Sequence, residues 1–327
     1  MTEPLVSVVV PSMNRADYIG VTIDSILAQD YPRIECIVMD GGSRDGTVEI
    51  LRRYGDKIDW ISEPDRGQAD AIDRGLRKSK GDICAWLNAD DIWWGPHAVS
   101  QVVAEFAKHA DVDVVYGDCA AIDAKGDRFG DSYVVPGWDL RYAIEQADHC
   151  IPQPSAFIRR QAFERVGFLN TSLIFMDRDL WLRIGLTGKI HYIPVCLSAA
   201  RTHENHWHRK YRQAAEEWIA TSERIIDDPS LPKELGIRRS VAMANACLRA
   251  MQYAWIGRRF GETVMIGARS LRYRPSSVGP LLRQIAVCAE EDGRRPTAAA
   301  LGALLSIGRK VRHGWHRLGH RQIVHRS

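Results

Sequence analysis

Leu5-Val-Ser-Val-Val-Val10 and Ile34-Glu-Cys-Ile-Val-Met39 stand on either side of a segment of helical period near Tyr18–Gln29. Short runs this rich in β-branched residues, separated by a helix-length stretch, are the pattern of buried parallel strands joined by a crossover helix. The first helix must stop before Tyr31-Pro32, because the residue before a proline is pushed out of the helical region. The same alternation continues outward. Thr47–Tyr54 reads as a helix, Ile58–Ile61 as a strand, Gln68–Lys78 as a helix and Ile83–Leu87 as a strand. A helix over 96–108, opened by Pro96, and a strand at Val112–Tyr116 follow.

Past Gly117 the alternation loosens, with turns at Lys125-Gly126 and Pro136-Gly137, so the sheet is expected to be mixed but mainly parallel. Asp179–Leu186 reads as helical and Ile190–Leu197 as extended. From about His206 the pattern is helix after helix, broken at Pro229, Pro232, Pro275, Pro280 and Pro296. The expected organisation is an α/β domain over residues 1–205 and a helical C-terminal region over 206–327.

With 45% hydrophobic and 26% charged residues, the 327-residue chain can bury a sizeable core. A net charge of +3 gives no concentrated basic face of the kind phosphate backbones need, so nucleic acid is not an expected partner. The seven cysteines are scattered without a C-x-x-C pair, which predicts neither a disulfide framework nor a zinc site. They fit a reducing compartment, and with no leader-like start or spanning apolar run the expected location is the cytoplasm.

Acids gather at the ends of the predicted strands, where open α/β sheets bind ligands. Asp40 ends the second strand in Met39-Asp-Gly-Gly-Ser-Arg-Asp-Gly-Thr47, and Asn88-Ala-Asp-Asp91 ends another. One such acid is usually a cap or turn former; several at successive strand ends suit a nucleoside diphosphate leaving group neutralised by a divalent cation. Asp90 is the candidate ligand, while Asp91, before Trp-Trp-Gly-Pro, also reads as a cap. There is no G-x-G-x-x-G after the first strand and no P-loop. The first strand ends instead in Pro11-Ser-Met-Asn-Arg15, where Asn14 suits either a nucleotide contact or a plain turn.

Five stretches, in this order, resemble glycosyltransferase family 2: Val8-Val-Val-Pro-Ser-Met-Asn-Arg15, Met39-Asp-Gly-Gly-Ser-Arg-Asp-Gly-Thr47, Ser62-Glu-Pro-Asp-Arg-Gly-Gln-Ala-Asp-Ala71, Trp86-Leu-Asn-Ala-Asp-Asp91 and Met176-Asp-Arg-Asp-Leu-Trp-Leu-Arg183. The resemblance covers roughly residues 5–205. It implies a GT-A fold, inversion at the anomeric carbon, and Mg²⁺ or Mn²⁺ as cofactor. It further implies that Pro11, Asn14 and Asp40 lie against the nucleoside, that Asp90 holds the metal, and that Asp177 activates the acceptor. Many relatives carry an acid where this chain has Asn88, which can hydrogen-bond a ribose or a metal-bound water but adds no charge.

Asp177 is therefore the expected general base, and Asp179 an acid of the first helical turn favoured by the helix dipole. His203, in Arg201-Thr-His-Glu-Asn-His-Trp207, resembles a histidine that completes metal coordination in many GT-A enzymes, with His206 and His208 as competitors. Arg66 and Asp70 are placed near the ribose and phosphates, or else form a solvated helix start with Asp70 paired to Arg74. Gln153-Pro-Ser155 falls on the acceptor side. Trp93, Trp94 and Trp138 are either sugar platforms or core.

After Asp292 the chain has no acid, while Leu301, Leu304, Leu305, Val311, Trp315 and Leu318 recur at near-helical spacing among arginines and histidines. Residues 301–327 read either as a helix docked on the protein or as one lying on an anionic membrane at the inner face. The expected activity is transfer of a sugar from a nucleotide diphosphate, UDP by family frequency, to a hydroxyl of a glycan or polyprenyl-linked acceptor in surface polysaccharide assembly. A homodimer through the helical region is compatible. A nucleotidyltransferase would need a Gly-rich basic loop after the first strand, and a non-catalytic sugar-binding module would be expected to lack Asp90 or Asp177.

Overall fold

In the computed structural model, which describes residues 3–129, 137–147, 151–202, 211–257, 260–277, 279–281 and 283–285, β1 (Val6–Ser12) is buried along its whole length. The chain then runs through α1 (Ile19–Leu27), β2 (Ile34–Asp40), α2 (Thr47–Arg53), β3 (Asp59–Ser62), α3 (Gln68–Lys78) and β4 (Ile83–Trp86). β1 pairs in parallel with both β2 and β4, and β2 in parallel with β3. Ser12 lies opposite Asp40 and Asp40 opposite Ser62, so the strands deliver their C-terminal residues to one edge.

The next elements are β5 (Ile92–Trp93), α4 (Ala98–Lys108), β6 (Val114–Ile122), α5 (Leu140–Gln146), β7 (Ala156–Arg159), α6 (Arg160–Val166), α7 (Met176–Thr187) and β8 (Ile190–Arg201). One eight-stranded sheet results, in the order β3-β2-β1-β4-β7-β6-β8-β5. β7 runs antiparallel between β4 and β6, β5 runs antiparallel to β8, and β6 and β8 are parallel. The sheet is thus mixed, as expected. Its antiparallel members, of four and two residues, are too short to show a period. α7 begins at Met176, three residues before the start expected from sequence, and brings both Asp177 and Asp179 into its first turn.

Alternation along β1 builds the two layers of core. Val6, Val8 and Val10 pack with Ile19, Ile23 and Ile26 of α1 and Val99, Val102 and Phe106 of α4. Val9 points the other way, against Ile72 and Leu76 of α3 and, with Trp86, into the cluster that holds Leu180 and Trp181 of α7. Each such side chain contributes about 1.5–3 kcal/mol when taken out of water. α3 approaches β1 so closely that a Cβ on Gly75 would lie 2.4 Å from Val9 Cγ1, which excludes any larger residue.

The chain divides into two compact units, Met1–Leu140 with His149–His206, and Arg141–Asp148 with Trp207–Ser327. The second contains α8 (Tyr211–Ile226), α9 (Arg239–Ile256) and α10 (Phe260–Tyr273), with α9 packed against both others. Buried Ala242, Ala244, Ala246, Ala250 and Ala254 give α9 a thin profile that permits close packing. Glu145 ties residues 141–148 into this unit: its carboxylate accepts from Arg238 Nε at 3.0 Å and Nη2 at 2.8 Å, and its backbone carbonyl from Asn245 Nδ2 at 2.7 Å. No described helix is long and apolar enough to cross a membrane. The apolar and basic stripe over 301–327 lies outside the described residues.

Candidate active site

Pro11 shapes the edge where the strands end. Val9 accepts from Leu87 N at 2.9 Å on the β4 side, and the backbone of Ser12 accepts from Gly41 N at 2.8 Å on the β2 side. Alternation puts the missing N–H of Pro11 on the β4 side, so the β1–β4 ladder ends there and the chain after Leu87 is released into a turn. Asp40, buried at the end of β2, is wrapped by its own loop. Its Oδ2 accepts from Gly42 N at 3.1 Å, Ser43 N at 2.9 Å and Ser62 Oγ at 2.6 Å, while Ser43 Oγ donates to Oδ1. Gly42 takes φ of +87° to let that loop turn back.

Asn14 has a left-handed backbone, φ +50°, and bridges this loop to the first. Its N–H donates to Ser43 Oγ at 2.7 Å and its Oδ1 accepts from Arg44 N at 2.9 Å. Asp45 completes the join, accepting from Ala16 N and from the backbone and hydroxyl of Thr47. Desolvation raises the Asp45 carboxyl, but these hydrogen bonds together outweigh it and hold it below the ordinary carboxylate range.

The turn after β4 separates its acids. Asp91 holds the scaffold: Oδ1 accepts from Arg201 N at 2.9 Å, Oδ2 from Asn88 Nδ2 at 3.0 Å, and its carbonyl from Thr22 Oγ1 at 2.8 Å. Arg201, the last residue of β8, also donates from Nε to the Asp90 carbonyl and from Nη1 to the carbonyls of Asp123 and Ala124. Asn88 Oδ1 accepts from Gln68 Nε2 at 2.6 Å. The buried Asp90 side chain faces Arg15, with Oδ2 3.5 Å from Nε. A chain of contacts therefore runs from Asp40 through Ser43, Asn14 and Arg15 to Asp90.

Asp177 reaches the same end of the sheet. α7 terminates beside Lys189, whose N–H donates to Asp113 just before β6, at the end where β6 starts. Its first turn must then lie toward the opposite end, where β4 finishes. Trp181, one turn after Asp177 and on the same helix face, stacks on Trp86, the last residue of β4, with centroids 5.8 Å apart. Asp177 is half-buried. Asp179, at 1% exposure, pairs with Arg183 at 2.8 Å, and Arg183 donates onward to the carbonyls of Val166, Gly167 and Phe168. Asp179 thus fixes α7 against the end of α6.

Asp70 pairs with Arg66, from Nη2 at 2.5 Å and Nε at 3.1 Å, whereas Arg74 pairs with Glu63. The Arg66 contact outweighs desolvation and lowers the Asp70 carboxyl. The alternative pairing of Asp70 with Arg74 is corrected: both lie one turn from Asp70, and Glu63 takes Arg74 away. Gln153 Nε2 donates to the Trp86 carbonyl at 2.7 Å. Trp93 is core, stacked on Phe157 at 5.2 Å, and Trp94 and Trp138 pack partly buried against core clusters. His203, His206 and His208 lie outside the described residues. Arg15, Gln68 and Arg201 were missed as site residues. All three lie within motifs legible in the sequence, but their partners are distant along the chain.

The oxygen chemistry of this edge fits Mg²⁺ or Mn²⁺, hard cations that take one or two carboxylates and fill the remaining positions with phosphate oxygens and water. Asp90, whose Oδ2 lies 3.5 Å from Arg15 Nε, could hold such an ion, whereas both Asp91 oxygens accept hydrogen bonds from Arg201 N and Asn88 Nδ2.

Residues 7–167 match the family model described as Glycosyl transferase family 2. A glycosyltransferase of Rickettsia typhi, itself uncharacterized, is 32% identical over 212 residues, 62% of this chain and 65% of that protein. One of Rickettsia felis is 31% identical over 226 residues, 65% of this chain and 37% of that protein, so the chain spans less than two thirds of either relative. A PGL/p-HBAD biosynthesis glycosyltransferase of Mycobacterium tuberculosis is 28% identical over 188 residues, 56% of this chain and 70% of that protein. Among solved structures, the mannosyltransferase PcManGT of Pyrobaculum calidifontis, in complex with GDP-Man and Mn²⁺, superposes with a TM-score of 0.57 at 23% identity, covering 88% of this chain and 87% of that one. S. aureus TarS gives 0.65 at 15% identity, covering 94% and 54%. These likenesses establish the GT-A fold.

Proposed function

The chain belongs to glycosyl transferase family 2, and from that premise we propose that it moves a sugar from a nucleoside diphosphate to an acceptor hydroxyl with inversion at the anomeric carbon. The observation that carries the reading is the linked edge itself: Asp40, Asn14, Arg15 and Asp90 joined through contacts across β1, β2 and β4, with the first turn of α7 beside the end of β4.

In this reading Pro11, Asn14 and Asp40 border the nucleoside, with Asn88, Arg66 and Asp70 toward the ribose and phosphates. Asp90, with His203, would hold Mg²⁺ or Mn²⁺, which supplies charge neutralisation for the departing diphosphate. Asp177 takes the proton of the acceptor hydroxyl as its oxygen bonds to the anomeric carbon, and the bond from that carbon to the diphosphate oxygen breaks. The nucleoside diphosphate leaves with the bonding pair. A single displacement needs one base and no covalent enzyme intermediate. Arg15, 3.5 Å from Asp90, offsets the charge of that carboxylate, a role the cation would supply when bound.

The donor is a UDP-sugar and the acceptor a glycan or polyprenyl-linked hydroxyl, with transfer chemistry in residues 1–205. Residues 206–327 serve attachment, through the 301–327 stripe on an anionic membrane inner face or through a homodimer. The test is a panel of UDP-, GDP- and dTDP-sugars assayed for nucleoside diphosphate release with Mn²⁺ and with chelator. Release from a UDP-sugar that stops with chelator is expected; release from GDP-sugars alone would overturn the donor, and none from any donor or acceptor would overturn the activity.

A further inference from the structure

At the opposite end of the sheet, where β6 and β8 begin, Glu105, His109 and His191 converge so that one ligand atom of each lies within 4.8 Å of the others. Glu105 Oε2 is 3.7 Å from His109 Nε2 and 3.6 Å from His191 Nε2, and the two rings stand 4.6 Å apart. Tetrahedral Zn²⁺ with bonds near 2.0–2.1 Å sets its ligand atoms about 3.4 Å apart, so only a few tenths of an ångström of closure separates the two carboxylate–imidazole spacings from coordination.

The backbone under the cluster is held. Arg159 donates from Nε to the Val112 carbonyl and from Nη2 to the Phe106 and His109 carbonyls, fixing the end of α4. His191 is fixed by strand pairing opposite Val115, and Asp113 N donates to the Lys189 carbonyl at 2.8 Å. Glu105 and His109 share a helix face four residues apart, the spacing at which two ligands meet one ion. Lys108 occupies Glu105 Oε1 at 2.8 Å, leaving Oε2 toward the histidines.

We propose that Glu105, His109 and His191 form a second metal site, for a transition dication of the Zn²⁺ class, which clips the end of α4 to the start of β8. Two imidazoles and one carboxylate suit Zn²⁺, Co²⁺ or Ni²⁺ and not Mg²⁺. Three protein ligands leave a fourth position to water. The site is separate from the cation at Asp90, and it stands whether or not the transfer activity does.

The test uses the full chain, stripped with chelator and titrated with Zn²⁺, for wild type, Glu105→Gln, His109→Gln, the His109→Gln/His191→Gln double variant and Asp90→Asn. The chain has 11 histidines, so the difference between proteins decides and not the total bound. Wild type and Asp90→Asn should share one Zn²⁺ site that is weakened at least tenfold in each single variant and lost in the double. Zn²⁺ should raise the melting temperature of wild type but not of the double variant. Equal Zn²⁺ binding by wild type and double variant would overturn the site. On wild type alone, Co²⁺ must give the visible absorption of a four-coordinate imidazole site; its absence overturns the proposal even if a variant fails to fold.

Discussion

The turn Asn88–Asp91 and the first turn of α7 each carry two acids close in sequence, and in each the two divide the work. At the turn, Asp91 is consumed by Arg201 N and Asn88 Nδ2, while Asp90 faces Arg15. On α7, Asp179 is consumed by Arg183, while Asp177 occupies the half-buried place one turn before the Trp86–Trp181 stack. The difference lies in what the structural acid holds. Asp91 anchors a backbone amide from a strand more than a hundred residues on, so it sets where the turn sits in the sheet. Asp179 anchors a guanidinium on its own helix, so it sets where the helix sits against α6. Position in each case is supplied by the acid that holds the scaffold, and the proposed chemistry falls to the acid beside it.

Substitutions that separate the pairs give the sharpest tests. Asp177→Asn keeps size and hydrogen bonding but cannot take a proton, and kcat should fall by about 10²–10⁴-fold with nucleotide affinity unchanged. Wild-type turnover would erase the division on α7. Asp179→Ala should instead take the carboxylate partner from the half-buried Arg183 and cost about 2 kcal/mol of stability, read as a lowered denaturant midpoint. If Asp179→Ala melts like wild type, the clamp on α6 is not what positions the helix.

At the turn the expected effect is smaller, because in the proposed function one carboxylate would share the cation with phosphate oxygens. Asp90→Asn should lose about tenfold or more in Mn²⁺-dependent UDP affinity, measured by titration with and without metal, while its melting temperature stays near wild type. A large stability loss with unchanged metal dependence would reverse the roles of Asp90 and Asp91.

This division was only half legible in the sequence. The strands β1, β2 and β4 showed as apolar runs because burial on both faces leaves no alternation to confuse, and the acids at their ends followed from where those runs stop. Asp90 and Asp91 are chemically identical, however, and what separates them is Arg201, brought in by the β8 pairing. Likewise Asp70 has an arginine one helical turn away on each side, and periodicity is symmetric. The choice of Arg66 was made by Glu63 claiming Arg74. β5 and β7 escaped because two and four residues carry no period, and the Glu105, His109 and His191 convergence joins a helix end to a strand start over eighty residues away.

Glu145 supplies a control in the second unit, an acid held by hydrogen bonds from Arg238. Hydrogen bonds from the Arg238 guanidinium lower its carboxyl from 4.5 to about 2, against the opposing pull of desolvation. As pH falls, the unfolded chain takes up this proton first, so the stabilisation is complete above the ordinary value of 4.5 and disappears as pH drops through the folded value of about 2. Glu145→Gln should therefore lower the melting temperature by roughly 2 °C at neutral pH, with the gap to wild type closing between pH 4.5 and 2. Because the residue lies outside the acid pairs, turnover and Mn²⁺ dependence should stay at wild-type values. A gap that persists at the acid end would mean that packing around Glu145, and not its charge, is what Arg238 secures.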